Sequence, residues 1–274
     1  MNILTFDIEE WYVYELYPKG GKAYYTPILN GCLTRLLDFL DERNTRATFF
    51  CLGIMAISHP QIVKQIAERG HEIGCHSNKH ILLNQLSPEQ FREDTFQAID
   101  RLQNLLGEKI EMYRAPAFSI KATTRWALEI LVENGVKYDC SVFPGRLQPG
   151  GVALQERNYP SLITTPSGII YEFPLSYSTV WSKQLVYSGG GFFRFFPYAL
   201  IRSLTQKSEY NMTYFHIRDF DSQQKRVCSF RYFQSYYGIN GAYEKFCRYV
   251  KDFDFVPLGV AVKMINWERL LLTV

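Results

Sequence analysis

Charge of one sign is scarce in this sequence: thirty Lys and Arg against twenty-seven Asp and Glu leave a net +3 over 274 residues. An excess that small and dispersed does not predict a phosphate-backbone partner, so nucleic acid is a poor first reading. Long apolar runs are missing too. Residues 28–40 and 192–200 fall short of the roughly 20 apolar residues that span a bilayer, so no transmembrane helix is expected. The six cysteines show no CxxC spacing and read as reduced, mostly buried thiols, not as a disulfide framework. The N-terminus has neither a positive n-region nor a small-residue cleavage site, which predicts a mature chain starting at Met1 and a cytoplasmic location. The glycine run Gly189 to Gly191 lacks the Gly-Lys-Ser/Thr ending of a phosphate loop, so nucleotide binding does not follow.

What is present is an ordinary globular composition, 47% hydrophobic and 21% charged, with aromatics abundant at 16%. Extended apolar runs alternate with amphipathic stretches from the first residue to about mid-chain. Strands are predicted at 3–8, 47–53, 72–76, 111–114, 138–141, 169–175, 213–217 and 255–259, and helices at 27–43, 60–69, 88–106, 123–134, 197–207 and 242–251. Pro60 and Pro88 fall at first helical positions, and Gly70 and Gly135 stand where a left-handed residue ends a helix. Strands joined through helices imply a parallel sheet, and seven or eight of them favour a closed or partly closed barrel over an open sheet. The class is therefore α/β. One domain over 1–274 is expected, with rim loops at about 143–191, where prolines and glycines break the rhythm, and a C-terminal extension from about 220.

In such a barrel the functional residues belong at the C-terminal ends of the strands. Asp7 and Glu9 close the first strand and share a face by alternation, which suits a metal ligand beside a general base. His76 and His80, four residues apart after the third strand, are expected on one face of a helical turn where both imidazoles reach one cation. A structural zinc site using Cys75 is the competing reading, although Cys75 points away from His76 if the strand persists. Arg114 follows a fourth strand, and His216 lies on a late aromatic strand. The rim aromatics Trp11, Tyr12, Tyr177 and Trp181 are candidates to stack on a flat ligand face, and Phe192 and Arg194 to shape a substrate cleft.

Thr5 to Asp7, Ala47 to Phe50, Gly70 to Ser77 with His80, Arg114 to Pro116 and Phe215 to His216 occur in the order of the motifs of polysaccharide deacetylases. The sequence resembles carbohydrate esterase family 4, the NodB-homology group, whose fold is a distorted (β/α) barrel of about seven strands. The stretches Arg114 to Ile120, Tyr138 to Pro144, Tyr171 to Pro174 and Gly189 to Arg194 resemble a subgroup linked to exopolysaccharide synthesis, as does the tail with Phe230 to Tyr232. One departure stands out: the family's usual Thr-Phe-Asp-Asp-Gly has Ile8 in place of the second, metal-binding aspartate. Strand alternation points to Glu9 as the relocated ligand, with Glu10 as the fallback.

The resemblance implies hydrolysis of an N-acetyl amide on an amino sugar, releasing acetate. It places zinc, or another divalent transition metal, on Glu9, His76 and His80, with Asp7 as base and Arg114 orienting it. The Ala117 N–H becomes the oxyanion donor and His216 the general acid, on the opposite side from the base, with Asp139 a candidate to orient His216. An N-acetylated saccharide is the implied partner. Two other readings remain open: a related amidohydrolase acting on a small linear or cyclic amide, and a non-catalytic glycan-binding protein.

Overall fold

The computed structural model describes residues 1–9, 29–143, 158–180, 183–223 and 237–271. Its centre is a sheet built from short apolar strands. The strands are β1 (Asn2–Ile3), β2 (Thr5–Ile8), β3 (Thr48–Cys51), β4 (Glu72–Cys75), β5 (Met112–Tyr113) and β6 (Tyr138–Asp139), then β7 (Ser161–Thr165), β8 (Gly168–Glu172), β9 (Ser178–Val180), β10 (Lys183–Leu185), β11 (Asn211–Met212) and β12 (Phe215–His216). Eight of them form one sheet in the order β12-β2-β3-β4-β5-β6-β8-β7. The seven from β12 to β8 are mutually parallel, and β7 runs antiparallel at the edge. The expected barrel of about seven parallel strands is thus present.

Its closure is distorted. Beyond β8, the Ser176 hydroxyl donates to the Met212 carbonyl at 3.2 Å, and Ser188 does so at 2.8 Å. Side chains, not a continuous ladder, join the last strands to β11.

Alternation sorts the side chains into two layers. Leu4, Phe6 and Ile8 pack outward with Phe49, Cys51 and Cys75 against the helices, whereas Phe50 joins a second cluster with Phe118, Cys140, Phe173 and Met212. Asp7 and Glu9 therefore share the face opposite Phe6 and Ile8, as period two requires. Gly74 makes room for this inner layer, because a Cβ there would meet the Phe50 ring at 2.6 Å.

The surrounding helices are α1 (Thr34–Glu42), α2 (Met55–Ser58), α3 (Pro60–Glu68), α4 (Pro88–Leu106), α5 (Trp126–Glu133), α6 (Gly190–Phe195), α7 (Tyr198–Lys207), α8 (Ala242–Asp252) and α9 (Leu258–Met264). Ser87 and Gln90 cap α4 reciprocally, and Gly107 ends it in the left-handed conformation at φ 73°. The C-terminal region is part of the core: Phe246 of α8 packs on Phe6 and Phe215 at 5.8 and 5.2 Å between ring centroids. Among the described residues, no helix is long and apolar enough to cross a membrane.

Two expectations need correction. The strand predicted at 255–259 is a single bridge from Val256 to Ile3, after which Pro257 opens α9. The helix wins because its first N–H groups have built-in acceptors, Thr48 Oγ1 for Leu258 at 2.8 Å and Glu72 Oε2 for Gly259 at 2.9 Å. The region read as rim loops contains the β7–β8 and β9–β10 hairpins and the start of α6, whose glycines hid it. Gly189 is needed there because a Cβ would lie 1.9 Å from the Tyr214 carbonyl oxygen, and Gly190 takes φ 50°.

Candidate active site

The chemically suggestive groups gather at the C-terminal ends of β2, β4, β5 and β12. Asp7 and His216 are register partners on adjacent strands, so β2 and β12 present the two side by side. The expected placement of His216 opposite the base is thus replaced by a neighbouring one, with His216 Nε2 3.8 Å from Asp7 Oδ2 and 3.4 Å from Glu9 Oε1. Arg114, fully buried, donates through Nη1 to Asp7 Oδ1 at 2.8 Å. Its guanidinium also lies 4.3 Å from the centroid of Phe50, which supports the cation from below. Burial raises the Asp7 pKa, but Arg114, His76 and His216 outweigh it, and the carboxyl stays below its ordinary value.

Glu9 Oε2 contacts His80 Nε2 at 2.7 Å and His76 Nε2 at 3.7 Å, and one ligand atom from each of the three residues lies within 4.8 Å of the others. Arg218 Nη1 donates to the other oxygen of Glu9. Against the burial that raises it, Arg218, His80 and His216 hold the Glu9 carboxyl well below the usual range. Because a carbonyl only accepts, the 2.8 Å contact of His76 Nδ1 with the Arg114 carbonyl fixes the proton on Nδ1 and leaves the Nε2 lone pair toward Glu9. One carboxylate and two imidazoles, all buried, fit a divalent transition metal of the zinc type.

The histidine pair is not on a helical turn. Ser77 and His80 have φ of 67° and 61°, and the loop is fixed instead from α4. Asp94 accepts from the Asn78 N–H at 2.9 Å, and the Asn78 side chain bonds Gln97 and Arg101. The imidazoles still come to 5.2 Å between centroids. The reading with Cys75 in a zinc site does not stand: its thiol packs with the outer core, and burial pushes its pKa up, which disfavours the thiolate ligand.

His216 carries a partner that the sequence reading missed. Asp219 Oδ2 accepts from the His216 N–H at 2.9 Å and faces Nδ1 at 3.2 Å. Asp219 is held by Arg194 at 3.5 Å, and despite burial Arg194 and His216 drive its carboxyl far below the usual range. Two assignments change accordingly. Arg194 is 7% exposed and braces Asp219, so it does not line a cleft for substrate. Asp139 does not orient His216; its Oδ1 accepts from Ser141, and it sits in register with Glu172 on β8. The available signal was a carboxylate three residues after His216, a spacing that returns a side chain to its own turn.

Ala117 is exposed at φ 49°, in a turn where Phe118 is also left-handed. Of the five non-glycine residues with positive φ among the described ones, four (Ser77, His80, Ala117 and Phe118) lie in the two loops that frame the site. Backbone of this kind is uncommon and tends to persist where surrounding structure holds it. Trp11, Tyr12, Trp181, Phe230 to Tyr232 and the fallback ligand Glu10 lie outside the described residues. Tyr177, half-buried, donates its N–H to the Asn158 side-chain oxygen at 3.1 Å.

A parallel barrel with a carboxylate–histidine triad beside an Arg-held aspartate and an Asp-held histidine has the makeup of a hydrolytic centre. Comparison with known proteins gives the first half of the chain a family. Residues 3–138 match the polysaccharide deacetylase model, so that segment is a polysaccharide deacetylase domain similar to carbohydrate esterase family 4. Residues 140–263 match a domain of unknown function, DUF3473. A peptidoglycan-N-acetylglucosamine deacetylase of Bacillus cereus is 35% identical over 114 residues, 41% of this chain and 39% of the relative. A peptidoglycan-N-acetylmuramic acid deacetylase of Bacillus subtilis is 26% identical over 160 residues, covering 52% and 58%. The chain thus spans less than two thirds of these relatives. A Mycobacterium smegmatis crystal structure, provisionally assigned as a polysaccharide deacetylase, shares the fold with a TM-score of 0.66 at 20% identity, over 98% of this chain and 90% of that one.

Proposed function

We propose that this protein is a metal-dependent hydrolase that removes N-acetyl groups from amino sugars of a poly- or oligosaccharide, in the synthesis of an exopolysaccharide or other surface glycan. The observation that carries the reading is the contact of Asp7 with Arg114 at 2.8 Å beside the Glu9, His76 and His80 cluster. The relatives named above support the substrate class, since both act on N-acetylated sugars of peptidoglycan.

Glu9, His76 and His80 would hold a divalent cation, zinc by preference, which would supply Lewis acidity toward water and the acetyl oxygen. Asp7, kept ionised by Arg114, takes the proton from that water. As the carbonyl oxygen gains charge, the Ala117 N–H is the backbone donor that meets it. His216 delivers a proton from Nε2 to the departing amine, with Nδ1 facing Asp219. The chain works as one unit in this scheme, because its base and acid come from opposite sides of residue 140.

The test begins with the metal content of the purified protein beside Glu9→Ala and His76→Ala, followed by acetate release from N-acetylated oligosaccharides. About one zinc-like ion per chain, lost in both variants, is expected. No ion after zinc is added back, or no acetate from any such sugar, overturns the reading.

A further inference from the structure

A second buried carboxylate pair lies behind the site. Asp139 and Glu172 are register partners on β6 and β8, and both are fully buried. Val142 N–H donates to Glu172 Oε1 at 3.2 Å, and Ser141 Oγ–H donates to Asp139 Oδ1 at 2.5 Å. Among the described residues, the remaining oxygens, Asp139 Oδ2 and Glu172 Oε2, are reached by no N–H or hydroxyl donor, and the register of adjacent parallel strands sets the two side chains beside each other on one face. Two carboxylates bond each other only when a proton lies between them. Among the described residues, the groups around them supply one positive charge, that of Arg114. Tyr113, Cys140 and Tyr210 are buried and kept neutral by that burial, and Arg114 already pairs with Asp7. Burial pushes both carboxyls up, Glu172 the further.

The pair connects to the catalytic turn through one hydroxyl. Ser141 Oγ donates to Asp139 and accepts from the Ala115 N–H at 2.8 Å, while Arg114 Nε donates to the Cys140 carbonyl at 3.3 Å. The segment leaving β6 thereby grips the backbone just before Ala117 and the side chain that holds Asp7. We propose that Asp139 and Glu172 hold one proton between them, Glu172 donating to Asp139, and that this singly charged pair acts through Ser141 to position the Arg114 to Ala117 turn. They are positioning residues for the site, and their catalytic consequence rests on the deacetylase reading.

The test uses the full chain in two arms. In infrared spectra at neutral pH, the wild type shows a protonated-carboxyl band that disappears in Glu172→Gln and in Asp139→Asn, where Glu172 ionises against the new amide. A band unchanged in both variants, or missing from the wild type, overturns the shared proton. For positioning, Glu172→Gln, whose amide N–H replaces the acid O–H, keeps wild-type hydrogen-exchange protection at the Ala115 amide. Glu172→Leu loses that protection and at least about tenfold in kcat at unchanged metal content. Equal behaviour of Gln and Leu overturns the positioning role. Should Glu172→Leu fail to fold, Ser141→Ala replaces it, with the same loss of protection expected. The infrared and exchange arms need no substrate, so failure of the deacetylase reading leaves them decisive.

Discussion

The two halves of the barrel hold their functional groups by different means. In residues 3–138 every group but His80 lies on or just after a parallel strand: Asp7 and Glu9 on β2, His76 on β4 and Arg114 on β5, all fully or almost fully buried. In the later half, His216 ends a two-residue strand and depends on Asp219, Arg194 and a glycine turn pressed against Tyr214. The base and the ligands Glu9 and His76 rest on backbone ladders, whereas the acid, on a ladder of two residues, also depends on a chain of side chains. A ladder is reinforced at every residue, while a side-chain relay is broken by removing any one member.

The strongest challenge to that contrast is Asp7→Asn. It removes the base while keeping the shape of the Arg114 contact, and turnover on an N-acetylated oligosaccharide is expected to fall about a thousandfold with the metal retained. A loss under tenfold would dissociate the ladder-held half from the chemistry. Next in size is Gly189→Ala, where the added carbon would lie 1.9 Å from the Tyr214 carbonyl oxygen. A loss of about 2–3 kcal/mol in urea unfolding is expected, against near neutrality for Gly31→Ala, whose Cβ meets nothing within 4 Å. Equal behaviour of the two would show that the later half is no more tightly constrained than the earlier.

A smaller effect is expected at Asp219→Asn, which weakens the acceptor at His216 Nδ1. It should lower kcat by about tenfold to thirtyfold without affecting metal content, the order found for groups that orient a catalytic histidine. An unchanged kcat would leave Asp219 a merely local cap.

The smallest effect concerns the base of the ladder. His71 Nδ1 accepts from the Ala47 N–H at 3.3 Å, and burial with Arg46 nearby lowers its pKa to about 4. Between that value and the ordinary 6.5 the unfolded chain binds the extra proton, so stability falls as pH drops through this window. A fall on the order of 2 kcal/mol from pH 7 to pH 4.5 is expected from this residue. His71→Phe should flatten that part of the profile, and an equal slope in both proteins would sink the assignment.

The same contrast explains what could be read from the sequence. Period-two alternation located Asp7 and Glu9 on one face, and the Pro88 start of α4 was legible because caps depend on local backbone chemistry. The closeness of His76 and His80 was also legible, but for the wrong local reason, since Asp94, Gln97 and Arg101 create the loop from a distant helix. Asp219 and Glu172 were out of reach: the first acts within an irregular turn, and the second gains meaning only once β6 and β8 are neighbours. The α6 and α9 helices were masked by glycine and proline, whose usual message is overridden by tertiary acceptors and close backbone contacts.

The register of Asp7 with His216 reaches further. Neighbouring strands lie about 4.8 Å apart whatever their side chains, so the gauge between proton acceptor and proton donor is set by peptide geometry. Flanking residues can then drift without respacing the reactive pair. A one-residue slip of β12, by contrast, would turn the imidazole to the opposite face in a single event. Inheritance of such a site is therefore gradual in composition and abrupt in alignment.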